Sequence, residues 1–322
     1  MRPLIRRQVL VSMAALLAGC AADRIAGSAR SPEAPLLDRE ERKSDTYQFT
    51  TIDVPGARST SAQGINARGD IVGTYVDLAG RAHGFVFADG AFTAIDFPGA
   101  AGTEARGISP DGEIVGDYWF PGEPAVNFHG YRRTQQGDFV PVHYPGHVNE
   151  ILQRILPDGT ILGCRHDNDL MMTMRGISIG REDASEVDTF ASMHNGATPD
   201  GRRIVGLWTD MMSGRREGYM IDDGVFHTFV VPGSNLTAAW DVNPAGVIVG
   251  VYRTGAGTST APFVSHGFIR SDGRRADGDV EYVTLDVPGA TSTTAFGINA
   301  SGVVVGSYAQ AGKTYGFVAS AR

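Results

Sequence analysis

The chain has 322 residues and a formal charge of −8, the sign opposite to that of a nucleic-acid binder. With 42 glycines and only 20% charged side chains it is unlike a disordered or long-helix protein and suits short strands joined by tight turns. All-β folds reach this size as one unit, so a single body is expected.

Residues 1–19 read as an export signal: Arg2, Arg6 and Arg7 form a basic start, and Val9 to Ala18 an apolar core too short to span as a stable helix. Leu17-Ala18-Gly19-Cys20 then looks like a bacterial lipobox, in which small residues fit the peptidase and the Cys20 thiol receives the lipid. Arg6-Arg7-Gln8-Val9-Leu10 is similar to a twin-arginine signal lacking its flanking polar residues. Ala21 stands where an aspartate would retain the protein at the inner membrane, so an outer-membrane lipoprotein is expected, touching the membrane through the lipid anchor only. Residues 20–46 carry the lipidated cysteine and then Ser, Pro and the run Asp38-Arg39-Glu40-Glu41-Arg42-Lys43; without apolar periodicity they read as a flexible tether. Loss of the three signal arginines takes the charge from −8 to −11, which argues further against nucleic acid. Cys164 is the only other cysteine, so no intramolecular disulfide forms once Cys20 is lipidated.

Six times between Asp53 and Phe317, within a single domain expected over residues 47–322, the chain repeats one unit of about 45 residues, a period that with strand-like content predicts a β-propeller. The glycine of Ile71-Val72-Gly73 recurs at Gly116, Gly163, Gly206, Gly250 and Gly306, in steps of 43, 47, 43, 44 and 56 residues. In the unit that begins at Ala105, a short extended segment to Ser109 meets the turn Pro110-Asp111-Gly112. Strands then follow over Glu113 to Tyr118, His129 to Arg132 and Phe139 to His143, four to a unit. The turn recurs as Ala67-Arg68-Gly69, Pro157-Asp158-Gly159, Pro199-Asp200-Gly201, Pro244-Ala245-Gly246 and Ala300-Ser301-Gly302. The prediction is an all-β, six-bladed β-propeller of four-stranded antiparallel blades. The chain enters on a fourth-type strand, Tyr47 to Val54, and leaves on a third-type strand, Tyr315 to Ser320. Pairing of the N-terminal strand with the C-terminal blade would close the ring and remove two exposed edges.

Gly64-Ile65-Asn66 with His83-Gly84-Phe85, repeated as Gly107-Ile108-Ser109 with His129-Gly130-Tyr131 and Gly297-Ile298-Asn299 with Tyr315-Gly316-Phe317, resembles the bacterial extracellular HAF repeats. The resemblance covers about residues 47 to 320. The middle position of the name motif is glycine here, and its histidine survives at His83, His129 and His266 but gives way to Arg175, Glu217 and Tyr315. It implies an exported repeat protein and no particular reaction.

The three histidines belong to separate blades without short ligand spacing, so they read as strand residues bonding within their blades, and no metal or cofactor is expected. Asp53, Asp96 and Asp286 of the Asp-x-Pro-Gly segments are expected to accept turn N–H groups. The soft donors Cys164, His166, Met171, Met172, Met174, Met211 and Met212 are irregularly spaced, which favours core and loop over a copper site.

More informative are departures on the innermost strand, because a propeller channel is lined by that strand. The glycine of Gly64-Ile65 aligns with Gly107, Arg154, Gly196, Asp241 and Gly297, and His194 stands where neighbouring blades have alanine or leucine. Arg154, His194 and Asp241 are the candidate ligand-binding residues, with Trp208 and Trp240 as stacking surfaces; a buried Arg154–Asp241 ion pair that merely fills space is the alternative.

No nucleophile elbow, zincin helix, phosphate loop or sialidase-type aspartate box appears in the sequence, and no catalytic residue is assigned. The expectation is a monomeric, noncatalytic binding or scaffold module of the cell envelope with an envelope protein or polysaccharide as partner. The competing reading is a propeller hydrolase or lyase acting on cell-surface carbohydrate. A plugged channel or a paired Arg154 and Asp241 favours the first.

Overall fold

Turn chemistry sets the strands. In the computed structural model, which describes residues 46–124, 127–167, 173–187, 191–272 and 280–322, Gly69, Gly112 and Gly159 of the recurring turns have φ of +90°, +94° and +87°. That left-handed region is costly for any residue with a Cβ. The expected signal, Cys20 and nearly all of the tether lie outside the described residues, as do Met171 and Met172.

After β1 (Tyr47–Ile52) the strands come in fours. The first set is β2 (Ser59–Ile65), β3 (Ile71–Val76), β4 (Ala82–Ala88) and β5 (Ala91–Ile95). The second is β6 (Gly102–Ile108), β7 (Ile114–Trp119), β8 (His129–Arg133) and β9 (Phe139–Val142). The third is β10 (Glu150–Ile155), β11 (Ile161–Arg165), β12 (Arg175–Ile179) and β13 (Ala184–Glu186). The fourth is β14 (Ser192–Ala197), β15 (Arg203–Thr209), β16 (Arg216–Asp222) and β17 (Val225–Phe229). The fifth is β18 (Leu236–Val242), β19 (Ile248–Thr254), β20 (Val264–Ser271) and β21 (Glu281–Leu285). Last come β22 (Ser292–Ile298), β23 (Val304–Gln310) and β24 (Lys313–Ala321).

Sequence neighbours within each set pair antiparallel. β1 pairs antiparallel with β24, Tyr47 opposite Ala321 and Ile52 opposite Gly316. The entering strand stops at Ile52 rather than Val54, because the Val54 N–H turns to the Thr60 hydroxyl at 3.1 Å. First strands meet first strands: β2 touches β6 and β22, β6 touches β10, β10 touches β14, β14 touches β18 and β18 touches β22. Four-stranded sheets standing side by side on their first strands make this a β-propeller.

The core lies between sheets. Val72, Val115, Val205, Val249 and Val305 on the second strands are fully buried, as expected for strands covered on both faces. Phe85, Tyr131, Tyr219, Phe268 and Phe317 on the third strands are buried to the same degree. Burying each such ring contributes roughly 2–3 kcal/mol. The repeated Gly73 answers to these rings: a Cβ there would lie 2.8 Å from the Phe85 ring and 2.0 Å from the Ser61 carbonyl oxygen. Its φ is not left-handed, so close approach and not backbone freedom dictates glycine.

Between the sheets run hydroxyl ties. Thr60, Thr103, Thr237 and Thr293 accept the N–H of Val54, Phe97, Val231 and Val287 at 2.9–3.2 Å, and the Glu150 carboxylate does the same for Tyr144 at 3.0 Å. These hydroxyls take the turn donors that Asp53, Asp96 and Asp286 were expected to bind. The carboxylates reach other partners instead: Asp53 meets Lys313 at 2.7 Å, Asp96 meets His83 at 2.7 Å and Asp286 meets His266 at 2.7 Å. His83 and His266 also stack on Tyr75 and Tyr252 with ring centroids 4.9 Å apart. The recurring histidines are thereby held within their blades.

Candidate functional site at the channel mouth

Every first strand carries a β-bulge. The register shifts at Gln63, Arg106, Gln153, Asn195, Trp240 and Phe296, one residue before the aligned glycine position. A bulge bends the strand and re-aims its side chains. It also drives the next residue against the neighbouring blade: a Cβ on Gly107 would lie 2.9 Å from the Arg154 Cα, and one on Gly196 would lie 2.7 Å from the Asp241 Cα. Around the axis the positions read Gly64, Gly107, Arg154, Gly196, Asp241, Gly297. Each of the two side chains therefore has a glycine on either side, which is why both fit.

Arg154 and Asp241 meet, Nη2 to Oδ2, at 3.4 Å with 11% and 10% of their side chains exposed. The arginine is surrounded by carbonyls. Its Nη1 donates to the oxygens of Arg106 at 3.0 Å and Gln153 at 2.8 Å, and its Nη2 to those of Phe296 at 2.6 Å and Gln63 at 3.3 Å. Three of those carbonyls come from other blades. Asp241 accepts the N–H of Val242 and of Ile298, both at 3.0 Å. Burial raises the Asp241 carboxyl, with Arg154 and the two N–H groups acting against it.

Above this pair the channel opens as a funnel of about 130 Å³ on the face that carries the Pro-Asp-Gly turns. Ile155, Val242 and Ile298 form its apolar wall, Pro110, Pro157, Pro199 and Pro244 its rim. Asparagine amides join blades around that rim: Asn243 Nδ2 donates to the Asn299 carbonyl at 3.4 Å, Asn299 to that of Asn66 at 3.3 Å, and Asn66 to that of Ser109 at 3.4 Å. The same asparagines cap their own turns, Asn66 Oδ1 accepting the N–H of Arg68 and of Asp70 at 3.0 Å. Sequence reasoning takes Asn66 and Asn299 only as part of the repeat motif, although an asparagine three residues before the turn glycines Gly69, Gly246 and Gly302 is there to be seen.

His194 does not join the pair. It is 3% exposed, its Nδ1 lies 2.5 Å from the Tyr219 hydroxyl, and its ring lies against Gly176 of the preceding blade. Burial alone depresses it to about 3, so it is a neutral packing residue. Trp240 is a bulge residue whose ring stands edge-on to Phe296 at 5.0 Å, and its buried Nε1 has no partner among the described residues. Trp208 packs edge-on to Phe226 at 6.4 Å. Neither tryptophan lines the funnel, so the expected stacking surfaces are not presented there.

Beyond the pair, on the opposite side of the funnel floor, Arg106 bonds Asp117 Oδ1 at 2.5 Å, contacts Glu104 and reaches Gln63 Oε1 at 3.4 Å. Burial lifts Asp117 to about 7 against the pull of Arg106. Cys164 is fully buried with Ile151, Met174, Met193, Leu207 and Ala238, and burial pushes its thiol up to about 12. Met211 and Met212 are exposed elsewhere. Among the described residues no three His, Cys, Asp or Glu side chains converge as metal ligands.

No family model and no curated protein matches the chain. Among solved structures it is similar to a gluconolactonase from Xanthomonas campestris, at 13% identity over 86% of this chain and 90% of that one, TM-score 0.50. It is equally similar to a mutant of AofleA from Arthrobotrys oligospora, at 13% identity over 85% and 86%, TM-score 0.50. TolB from Acinetobacter baumannii matches at 16% identity over 66% of this chain, TM-score 0.45, and this chain spans half of that protein's length. At such identities the likeness extends to the fold: the class is that of the β-propeller proteins, with a charged pair on the channel axis.

Proposed function

We propose that the chain is a noncatalytic binding or scaffold module: a six-bladed propeller closed by β1, exported as a monomer of the HAF-repeat kind and held at the envelope through Cys20. The observation that carries this reading is the commitment of Arg154 and Asp241 to one another and to backbone groups of other blades. Groups so bonded have little capacity left for a substrate. The hydrolase or lyase reading needs His194 beside them, and that histidine is enclosed between blades.

The binding face of this proposal is the one opposite the funnel, built from the connections between blades and the loops between second and third strands. Large apolar side chains are exposed there on several blades: Leu78 at 78%, Phe120, Met211, Met212 at 96% and Phe263 in those loops, and Val148 in a connection. Recurrence on one face is what a partner surface requires, whereas scattered single residues need no explanation. The partner is an envelope protein or polysaccharide.

The test is a thermal-shift and titration screen against envelope glycans and envelope proteins, using the parent, a Met212→Glu/Phe263→Glu variant and an Arg154→Gly/Asp241→Gly variant. The proposal expects a partner lost by the first variant and kept by the second. Turnover of a glycan, or binding lost only by the second variant, would overturn it.

A further inference from the structure

A second cavity of about 210 Å³ lies on the turn face between the second and third blades, just outside the funnel rim, with which it shares Leu156 and Pro157, and on the face opposite the proposed partner surface. One blade contributes Ser109, Asp111, Glu113, Arg132 and Gln135, the next Leu156, Pro157, Gly159 and Arg181. It is smaller than a drug-sized pocket of about 300 Å³ or more.

One buried donor beside this cleft is unsatisfied. Arg132 gives its Nη2 to Glu113 at 2.5 Å, but its buried Nε has no acceptor among the described residues. A buried donor left without a partner is costly, so the Arg132 guanidinium is held with its bonding capacity incompletely used. Arg181 lies over the Gly159 turn, its Nε 3.7 Å from where a Cβ on that glycine would sit. Other arginines of this face have carboxylates: Arg68 pairs with Asp70 at 2.7 Å, Arg202 with Asp223 at 2.8 Å and Arg203 with Asp222 at 2.6 Å. Asp111 and Gln135 add hydrogen-bonding groups, and Leu156 with Pro157 a small apolar patch.

We propose that this cleft binds a single acidic sugar unit, its carboxylate on the guanidinium groups of Arg181 and Arg132, its hydroxyls on Gln135, Asp111 and Glu113, and its C–H face on Leu156 and Pro157. Guanidinium groups suit a carboxylate because their planar fork matches its two oxygens. The site is independent of the partner surface proposed above.

Isothermal titration of the full chain with glucuronate, glucose and glycine tests it. Glucuronate is expected to bind saturably in the millimolar range, and glucose and glycine at least tenfold more weakly. Arg181→Ala and Gln135→Ala, both exposed positions that leave the circular dichroism unchanged, weaken glucuronate at least tenfold and several-fold. Arg202→Ala, on the same face but already paired, leaves the affinity as it is. Absence of saturable glucuronate binding, parity of glucose or glycine with it, or full affinity in Arg181→Ala would overturn the proposal.

Discussion

Arg154 and Asp241 stand two blades apart in the sequence and 3.4 Å apart on the propeller axis. Each replaces a glycine and is flanked by glycines, so two departures that look like independent drift make one joint. Through that joint the guanidinium ties the carbonyls of Gln63, Arg106 and Phe296, and the carboxylate ties the N–H of Ile298. The axis is braced where other blades have only backbone.

The enclosed His194 gives the fold an acid sensitivity with a definite sign. Its folded value is depressed to about 3 from an ordinary 6.5, so below 6.5 the unfolded chain binds a proton that the folded one refuses. The His194 contribution to stability therefore falls as pH drops from about 6.5 towards 3, by up to about 1.4 kcal/mol per pH unit. Asp117, raised to about 7 by burial, acts oppositely: between 7 and about 4 its folded form takes up the proton first and gains stability as pH falls. Denaturant unfolding at pH 7 and pH 5 separates them. His194→Leu, which copies Leu152, leaves stability rising as pH falls, and Asp117→Asn leaves it falling, because each variant uncovers the contribution that the other group offsets in the parent; parent-like slopes in both variants contradict this assignment.

Cys164 is expected to be chemically silent. With no exposed surface and a thiol pushed up to about 12, it has neither access nor thiolate at neutral pH. Alkylation followed by peptide mapping should find it unmodified in the native protein and modified once denaturant is added. Rapid native labelling would mean that the space between β11 and β15 opens readily.

The pairing of β1 with β24 makes a further stability prediction. Deleting residues 46–52 removes buried Ile52, worth roughly 2 kcal/mol, and the edge-on contact of Phe49 with Phe317, worth about 1 kcal/mol. A fall in Tm of roughly 5–10 °C is expected, with concentration-dependent association through the bared edge of β24. An unchanged Tm in a monomeric product would show that this strand contributes nothing to closure.

Strands and turns were legible because their chemistry is local: Pro-Asp-Gly and Ile-Val-Gly announce a hairpin and a buried strand wherever they stand. Arg154 and Asp241 were legible for a related reason, as charges at positions where glycine is the rule. His194 is turned away from the axis by a change of parity that the sequence does not show. Residues two apart share a face in a regular strand, which would set His194 beside Gly196 at the axis, but the bulge at Asn195 flips that parity and turns the ring towards Gly176. The roles of Thr60 and Thr103 in holding turn N–H groups were hidden because their partners lie across a connection whose path the sequence does not state. The side of the funnel was hidden likewise, since it depends on which end of the strands the bulges tilt inward.

The most direct test of the central claim, that the axial pair is a brace and not a ligand site, is a double-mutant cycle on Arg154→Gly and Asp241→Gly by chemical denaturation. The account predicts that each single variant loses about 3–5 kcal/mol, because one buried group is left without its partner. The double variant, restored to the glycine of the other blades, should lose clearly less than the sum, with a coupling of about 1–3 kcal/mol. Single losses below about 0.5 kcal/mol that simply add would contradict it, and would return both residues to the list of groups held ready for a ligand.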